Sequence, residues 1–143
     1  MILAHLALVA ASLFTGAAFY VNAVEQPARL RLADGPLLAQ WQPSYKRASV
    51  MQASLVVAGT LLGLAAWWQL GGIGWVIGAL LMLANLPVTF GLIMPVNRVL
   101  MATDPTGAGP DSRARIARWA RLHTIRTALG AGAVLVFVWA ALD

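Results

Sequence analysis

The chain has 143 residues, of which 60% are hydrophobic and only 10% are charged. A soluble domain carries about 25% charged residues, so this composition excludes an ordinary soluble globular protein. The net charge of +5 does not indicate nucleic-acid binding, because the basic residues flank apolar stretches instead of forming a basic domain. The absence of cysteine excludes disulfides and thiolate metal sites.

Four apolar stretches are long enough to cross a membrane. A hydrocarbon core of about 30 Å needs roughly 20 apolar residues per helix, and the stretches predict helices at about residues 2–24, 47–69, 73–101 and 113–142. The alternating segments of about ten residues that mark a membrane β-barrel do not occur. The sequence therefore predicts an all-α integral membrane protein, a single domain over residues 1–143 that forms an antiparallel bundle of four transmembrane helices.

The basic residues predict the topology. All ten Lys and Arg residues lie in, or just beyond, the connections between the first and second and between the third and fourth stretches. Basic connections remain cytoplasmic, so both termini are expected on the outer face of a bacterial-type plasma (inner) membrane. The arginines of these connections, Arg29 among them, are expected to contact anionic membrane lipids. The tryptophans are expected at the two interfaces: Trp67, Trp68, Trp75 and Trp139 at the outer one, Trp41 and Trp119 near the inner one.

The first half of the chain leaves two points open. Val21-Asn22-Ala23 resembles a signal-peptidase site, but no basic segment precedes it, and cleavage would move Arg29 and Arg31 outside. Residues 25–46 are too long for a plain connection, and we expect them to fold back against the helix ends.

Glycine pairs four residues apart predict close packing within the chain between the second and third helices: Gly59 and Gly63, Gly74 and Gly78.

Two polar residues of the third helix require an explanation. Asn85 and Thr89 are one turn apart, and Pro87 between them frees a backbone carbonyl. Polar side chains are costly in lipid, so these two are expected either to form interhelical hydrogen bonds or to line a ligand cavity beside the freed carbonyls.

The fourth helix carries a histidine and an arginine at membrane depth. His123 is expected roughly 10 Å inside the boundary, where it can act as a base, an acid or a ligand. Arg126 lies deeper and must reach the surface, pair with a carboxylate or bind an anionic group. An ion pair with Glu25 is the structural alternative to a ligand role. His5 is expected roughly 15 Å away in depth, so the two histidines are not expected to share a metal or a haem.

These residues predict a site near the inner ends of the helices. The expected chemistry is proton transfer by His123, with neighbouring donors stabilising an oxyanion or enolate. We predict His123, Asn97 and Arg126 as catalytic residues and, as substrate-binding residues, Glu25, Trp41, Tyr45, Gln52, Asn85, Thr89 and Trp119. No metal site and no cofactor are expected.

Several motifs resemble the anthrone-oxygenase-like family of small membrane proteins. The matching segments, which together span nearly the whole chain, are Leu13-Phe14-Thr15-Gly16-Ala17, Trp41 with Tyr45, Leu86-Pro87-Val88-Thr89, Pro95-Val96-Asn97-Arg98-Val99-Leu100, and Trp119-x-x-x-His123-x-x-Arg126-Thr127. The resemblance implies a four-helix membrane protein. It also implies oxidation of an anthrone to an anthraquinone by molecular oxygen without a metal or flavin, with His123 as base and Asn97 and Arg126 positioning the substrate oxygens.

Two other functions remain open at this point. The protein is alternatively a non-catalytic lipid-binding or small-molecule-binding protein, with Arg126 holding an anionic headgroup, or an accessory subunit of a membrane assembly. The expected partners are a lipophilic small molecule and membrane lipids. A bundle of this size has little room for both a core and a substrate cavity, so a homo-oligomer is plausible.

The topology is tested with fusions of alkaline phosphatase, which is active only outside the cytoplasm. A fusion to the C-terminus should be active, and a control fusion within residues 102–112 should be inactive, because the basic connections are expected to stay inside. An inactive C-terminal fusion with an active control would reverse the orientation.

Overall fold

Four long helices make up almost the whole protein. The computed structural model describes all 143 residues, with α1 at Ile2–Arg29, α2 at Asp34–Leu70, α3 at Ile73–Ala102 and α4 at Pro110–Leu142. A short 3₁₀ turn, Pro105–Gly107, lies between α3 and α4. Each long helix is apolar and long enough to cross a membrane, which confirms the predicted all-α membrane bundle of four helices.

The helices extend beyond the apolar stretches, most of all in α2. The prediction that residues 25–46 fold back as a connection is wrong: α1 continues to Arg29, only residues 30–33 form the turn, and α2 begins at Asp34, well before residue 47. The added part of α2 buries Leu37, Leu38 and Trp41. The length of an apolar stretch in the sequence therefore indicates the thickness of the membrane's apolar layer. The helix α2 is longer than its stretch because apolar residues of its first turns pack in the bundle.

The helices form a closed ring in which α1 packs on α2 and α4, and α3 packs on the same two helices. The turn between α2 and α3 lies beside both termini, and we call this the terminal end. At the other end, the basic end, the Arg113 side chain joins the two basic connections. Its Nε donates to Asp34 Oδ1 at 2.5 Å, and its remaining nitrogens donate to the carbonyls of Leu30 and Leu32.

Gly59 and Gly63 of α2 pack closely against α3, as predicted, whereas Gly74 and Gly78 of α3 pack against α4. A Cβ placed on Gly63 would lie 2.8 Å from the Phe137 ring and 3.1 Å from Ala79 Cβ, and one on Gly59 would lie 2.9 Å from Met82 Cε. Phe137 belongs to α4 and also faces Gly78. The glycines therefore leave room for side chains of neighbouring helices, above all for the large ring of Phe137 from α4.

The interior contains two separate apolar clusters. The terminal-half core consists of Ala4, Ala7, Ala11, Phe14, Val56, Ala66, Trp75, Met82, Ala133 and Phe137. The basic-half core consists of Val21, Leu37, Leu38, Trp41, Ile93, Val96, Leu100, Ile116 and Trp119. Trp41, Trp75 and Trp119 do not face outward as interfacial tryptophans would, because all three are buried against other side chains of the bundle.

Two π-helical turns interrupt the helices at the level between the two cores. In α1 the turn is Val21–Glu25, where the Gln26 N–H donates to Val21 O; in α3 it is Thr89–Ile93, where the Met94 N–H donates to Thr89 O. A proline lies two residues after the end of each turn, Pro27 after Glu25 and Pro95 after Ile93. Proline lacks an N–H and clashes with the carbonyl four residues before it, and the wider turn accommodates that defect.

Candidate active site

A cavity of about 280 Å³ lies between the two cores. Val56 of the terminal-half core borders it on one side, and Val21, Ile93 and Trp119 of the basic-half core border it on the other. All four helices contribute to its wall. The polar and aromatic side chains that line it are Glu25, Arg29, Ser44, Tyr45, Ser49, Gln52, Thr89, Phe90, Asn97, Trp119, His123 and Arg126.

Eight of the ten site residues predicted from the sequence line this cavity: Glu25, Tyr45, Gln52, Thr89, Asn97, Trp119, His123 and Arg126. Trp41 and Asn85 do not. Trp41 stacks behind Tyr45, with ring centroids 4.9 Å apart and planes 3° apart, and lies edge-on to Trp119 at 5.5 Å. It therefore supports two aromatic side chains of the wall.

Asn85 and Thr89 bond to their own helix. The Asn85 Nδ2 donates to the carbonyls of Leu81 and Met82 at 3.2 and 3.1 Å, and the Thr89 hydroxyl donates to Asn85 O at 2.7 Å. The predicted interhelical hydrogen bonds of this pair are therefore not formed. Thr89 does line the cavity, at the first position of the π-helical turn.

His123 is held by a residue that the sequence reading missed. It is 2% exposed, and its Nδ1 lies 3.0 Å from Asn22 Oδ1 in the π-helical turn of α1. Its ring tilts by 32° against Trp119 at a centroid distance of 4.9 Å. Asn22 belongs to the tripeptide that resembles a signal-peptidase site, and no periodic pattern marks it as a neighbour of α4.

Glu25 pairs with Arg29, not with Arg126. The Arg29 side chain forms an ion pair with Glu25 Oε1, which also accepts from Ser44 Oγ at 2.6 Å and from Gln40 Nε2 at 3.1 Å. Arg29 is 4% exposed, so its expected role as a lipid-facing anchor is wrong as well. The predicted ion pair between Glu25 and Arg126 is not formed, because the neighbouring turn of α1 supplies the partner.

Arg126 is a buried cation without a carboxylate. It is 8% exposed, neither of the two ion pairs in the structure includes it, and its Nε has no acceptor. Its guanidinium carbon lies 5.3 Å from the centroid of the Phe14 ring. A cation–π contact offsets only part of the desolvation of a buried charge. The arrangement suits a ligand that brings negative charge.

Amide groups in the same wall are also free to bind a ligand. Asn97 is 1% exposed, and neither its Nδ2 nor its Oδ1 has a hydrogen-bond partner. Gln52 lines the cavity at 2% exposure. Buried amides are normally paired. His5 lines a separate pocket at the terminal end.

The cavity opens sideways between α2 and α3. Val50 of α2 and Phe90 of α3 line it and are 69% and 64% exposed on the outer surface of the bundle. Both lie within the spans that are long and apolar enough to cross a membrane. The opening therefore faces the side of the bundle that lipid would cover.

The two buried arginines should affect stability in opposite directions. Arg126→Met should raise the free energy of unfolding by at least about 1 kcal/mol, because it removes an uncompensated buried charge. Arg29→Met should lower it by roughly 1–3 kcal/mol, because Glu25 loses its partner but is partly exposed. Thermal unfolding in detergent, followed by tryptophan fluorescence, measures both. Equal destabilisation by the two variants would mean that Arg126 has a structural partner.

Comparison with known families assigns the chain to a family. The family model described as anthrone oxygenase matches residues 41–136, about two thirds of the chain. The match includes α3 entirely and the segment of α4 with His123 and Arg126. Curated proteins and solved structures give no significant match. The family match covers well over half of the sequence, and the chain belongs to the anthrone oxygenase family.

Proposed function

We propose that this membrane protein oxidises a lipophilic, anthrone-like aromatic compound with molecular oxygen, using His123 as the general base. The observation that carries the proposal is the shared cavity. One small space holds a buried imidazole, a guanidinium without a counter-ion and an unpaired amide, which are the groups needed to remove a proton and stabilise the resulting anion. Membership of the anthrone oxygenase family supports the same chemistry.

The proposed reaction begins with proton transfer. The His123 Nε2 removes one proton from the methylene carbon between the two aromatic rings, and the negative charge spreads to the carbonyl oxygen across the central ring. The carbanion is oxidised by O₂ and forms a carbon–oxygen bond, and the imidazolium returns its proton to give a hydroperoxide. Removal of the second methylene proton breaks the O–O bond, so one oxygen atom becomes the new carbonyl and the other leaves as water.

Arg126 and Asn97 would stabilise the intermediate anion. A guanidinium that is unpaired in the free protein gains a full ionic partner only when the substrate oxygen becomes charged. Interactions that strengthen toward the transition state accelerate the reaction, whereas those already made with the substrate only tighten binding. Asn97 Nδ2 offers a second donor in the same wall. The stability lost by burying Arg126 would thus be recovered in catalysis.

The shape of the cavity supports an aromatic substrate drawn from lipid. Small-molecule pockets span about 300–1,000 Å³, so a cavity of about 280 Å³ suits a compact fused-ring compound. Tyr45 and Trp119 provide aromatic wall surface, and the opening at Val50 and Phe90 faces the membrane side. We also propose that the basic end is cytoplasmic and that the membrane is a bacterial-type inner membrane, as the distribution of arginines indicates.

One observation favours a second function, binding of an anionic lipid without chemistry. An opening toward lipid combined with an unpaired cation would also accept a headgroup. This function requires Arg126 but gives His123 no role in turnover. The requirement for His123 therefore separates the two functions.

His123→Ala should abolish oxidation of anthrone, because the base is lost. The assay follows formation of anthraquinone and uptake of O₂ by purified protein in liposomes, with His5→Ala as the matched control at the terminal end. His123→Ala should keep the wild-type unfolding temperature within a few degrees, and His5→Ala should retain full activity. Turnover by His123→Ala, or no turnover by the wild type, would contradict the proposal.

Val50→Trp should lower kcat/KM for anthrone by at least about tenfold, because an indole at this position would obstruct the opening between α2 and α3. Val57→Trp is the control: Val57 lies two turns further along α2, is exposed, and does not line the cavity. Unchanged kinetics for Val50→Trp would mean that the substrate enters elsewhere.

A further inference from the structure

We propose that Asn22 is a positioning residue that holds His123 in the tautomer with a proton on Nδ1 and a free lone pair on Nε2. The inference deepens the proposed function, since it names the residue that prepares the base. Asn22 precedes the residues that the family model matches, so the family match gives it no role.

The orientation of the Asn22 amide follows from its hydrogen bonds. The Nδ2 lies 3.0 Å from Ala120 O and 3.2 Å from Thr124 Oγ1. The Thr124 hydroxyl already donates to Ala120 O at 3.1 Å, so its oxygen is free to accept. Both partners of this end of the amide are acceptors, and the NH₂ group must therefore face them.

The opposite end of the amide fixes the imidazole. Asn22 Oδ1 accepts from the Thr127 hydroxyl at 2.9 Å and lies 3.0 Å from His123 Nδ1. A carbonyl oxygen can only accept, so Nδ1 must carry the proton. In a neutral imidazole the other nitrogen is then unprotonated, which is the state that a general base requires.

The residue that orients His123 is neutral. In hydrolytic triads a carboxylate orients the histidine and also stabilises the imidazolium. An amide orients the ring in the same way but carries no charge. It therefore holds the neutral imidazole without favouring the imidazolium. No acidic side chain bonds to His123, because Glu25 bonds to Arg29, Ser44 and Gln40.

The π-helical turn provides the position. Asn22 is the second residue of Val21–Glu25, and its amide spans from α1 to three successive turns of α4 at Ala120, His123 or Thr124, and Thr127. Four contacts on one side chain leave it a single orientation. The same turn places Glu25 and Arg29 in the cavity wall.

The test reads the protonation of His123 directly by NMR. Full-length protein in detergent, labelled with ¹⁵N-histidine in a His5→Gln background, should show a single ring protonated at Nδ1 and bare at Nε2. Asn22→Ala should lose this uniform state, and kcat for anthrone should fall by about 10–100-fold with little change in KM. A loss of this size is usual when the hydrogen-bond partner of a metal-bound histidine is removed. Thr127→Val, which removes only one bond to Oδ1, should keep the Nδ1 proton.

Asn22→Asp separates positioning from a merely structural role. The carboxylate keeps an oxygen toward Nδ1 but loses the donor to Ala120 O, so native helix content by circular dichroism is the control for folding. The ring should then be doubly protonated, and turnover should be lost at neutral pH and return as the pH rises. A wild-type ring protonated at Nε2, or an unchanged spectrum in Asn22→Ala, would overturn the inference. If anthrone is not oxidised but the Nδ1 proton depends on Asn22, the proposed function fails and the positioning role stands.

Discussion

Arg126 carries a positive charge inside a bundle whose nearest candidate carboxylate, Glu25, is already bonded to Arg29, Ser44 and Gln40. A membrane interior offers no bulk water to solvate such a charge, and an unpaired charge there is costly. The interior around Arg126 is arranged as expected for a site that awaits a ligand. The apolar interior divides into two cores, a cavity separates them, and the amide of Asn97 is left unpaired in the same wall. Two arginines of the same cavity wall thus differ: Arg29 is paired with Glu25, whereas Arg126 is available to a ligand.

Much of the fold and most of the site residues follow from local sequence patterns. Apolar length predicts four membrane-spanning helices, and the one-turn spacing of Trp119, His123 and Thr127 predicts that α4 presents them on one face. What could not be predicted depends on α1. Its buried positions follow helical spacing from Ala4 through Ala7, Ala11, Phe14 and Ala18 to Val21, and that spacing continues to Glu25 and Ala28. The structure instead buries Gln26 and Arg29, one residue later, because the π-helical turn intervenes. The burial of Gln26 and Arg29 was missed for this reason.

The site is divided between two parts of the chain with different relations to the family. The matched segment carries His123, Arg126 and Asn97, the groups that would act on the substrate. The unmatched α1 carries Asn22, Glu25 and Arg29, which orient the histidine or complete the wall. The family match therefore covers the groups proposed to react and leaves out the groups of α1 that bond to them or complete the wall. In this fold the residues that orient the histidine or complete the wall come from α1, which is far from α4 in sequence and adjacent to it in space.

The extra residue in the π-helical turn of α1 limits how the sequence of this helix can vary. A π-helical turn holds one residue more than the α-helix around it, and one residue corresponds to about 100° of rotation. Deleting any single residue of Val21–Glu25 would restore a regular helix without shortening the span enough to prevent membrane insertion. It would also turn the two halves of α1 against each other, so that the half that packs in the terminal-half core and the half that carries Arg29 could not both face the interior. In relatives of this protein, a gap of one residue at this place in an alignment would therefore mark the loss of the site, even where every aligned side chain is identical.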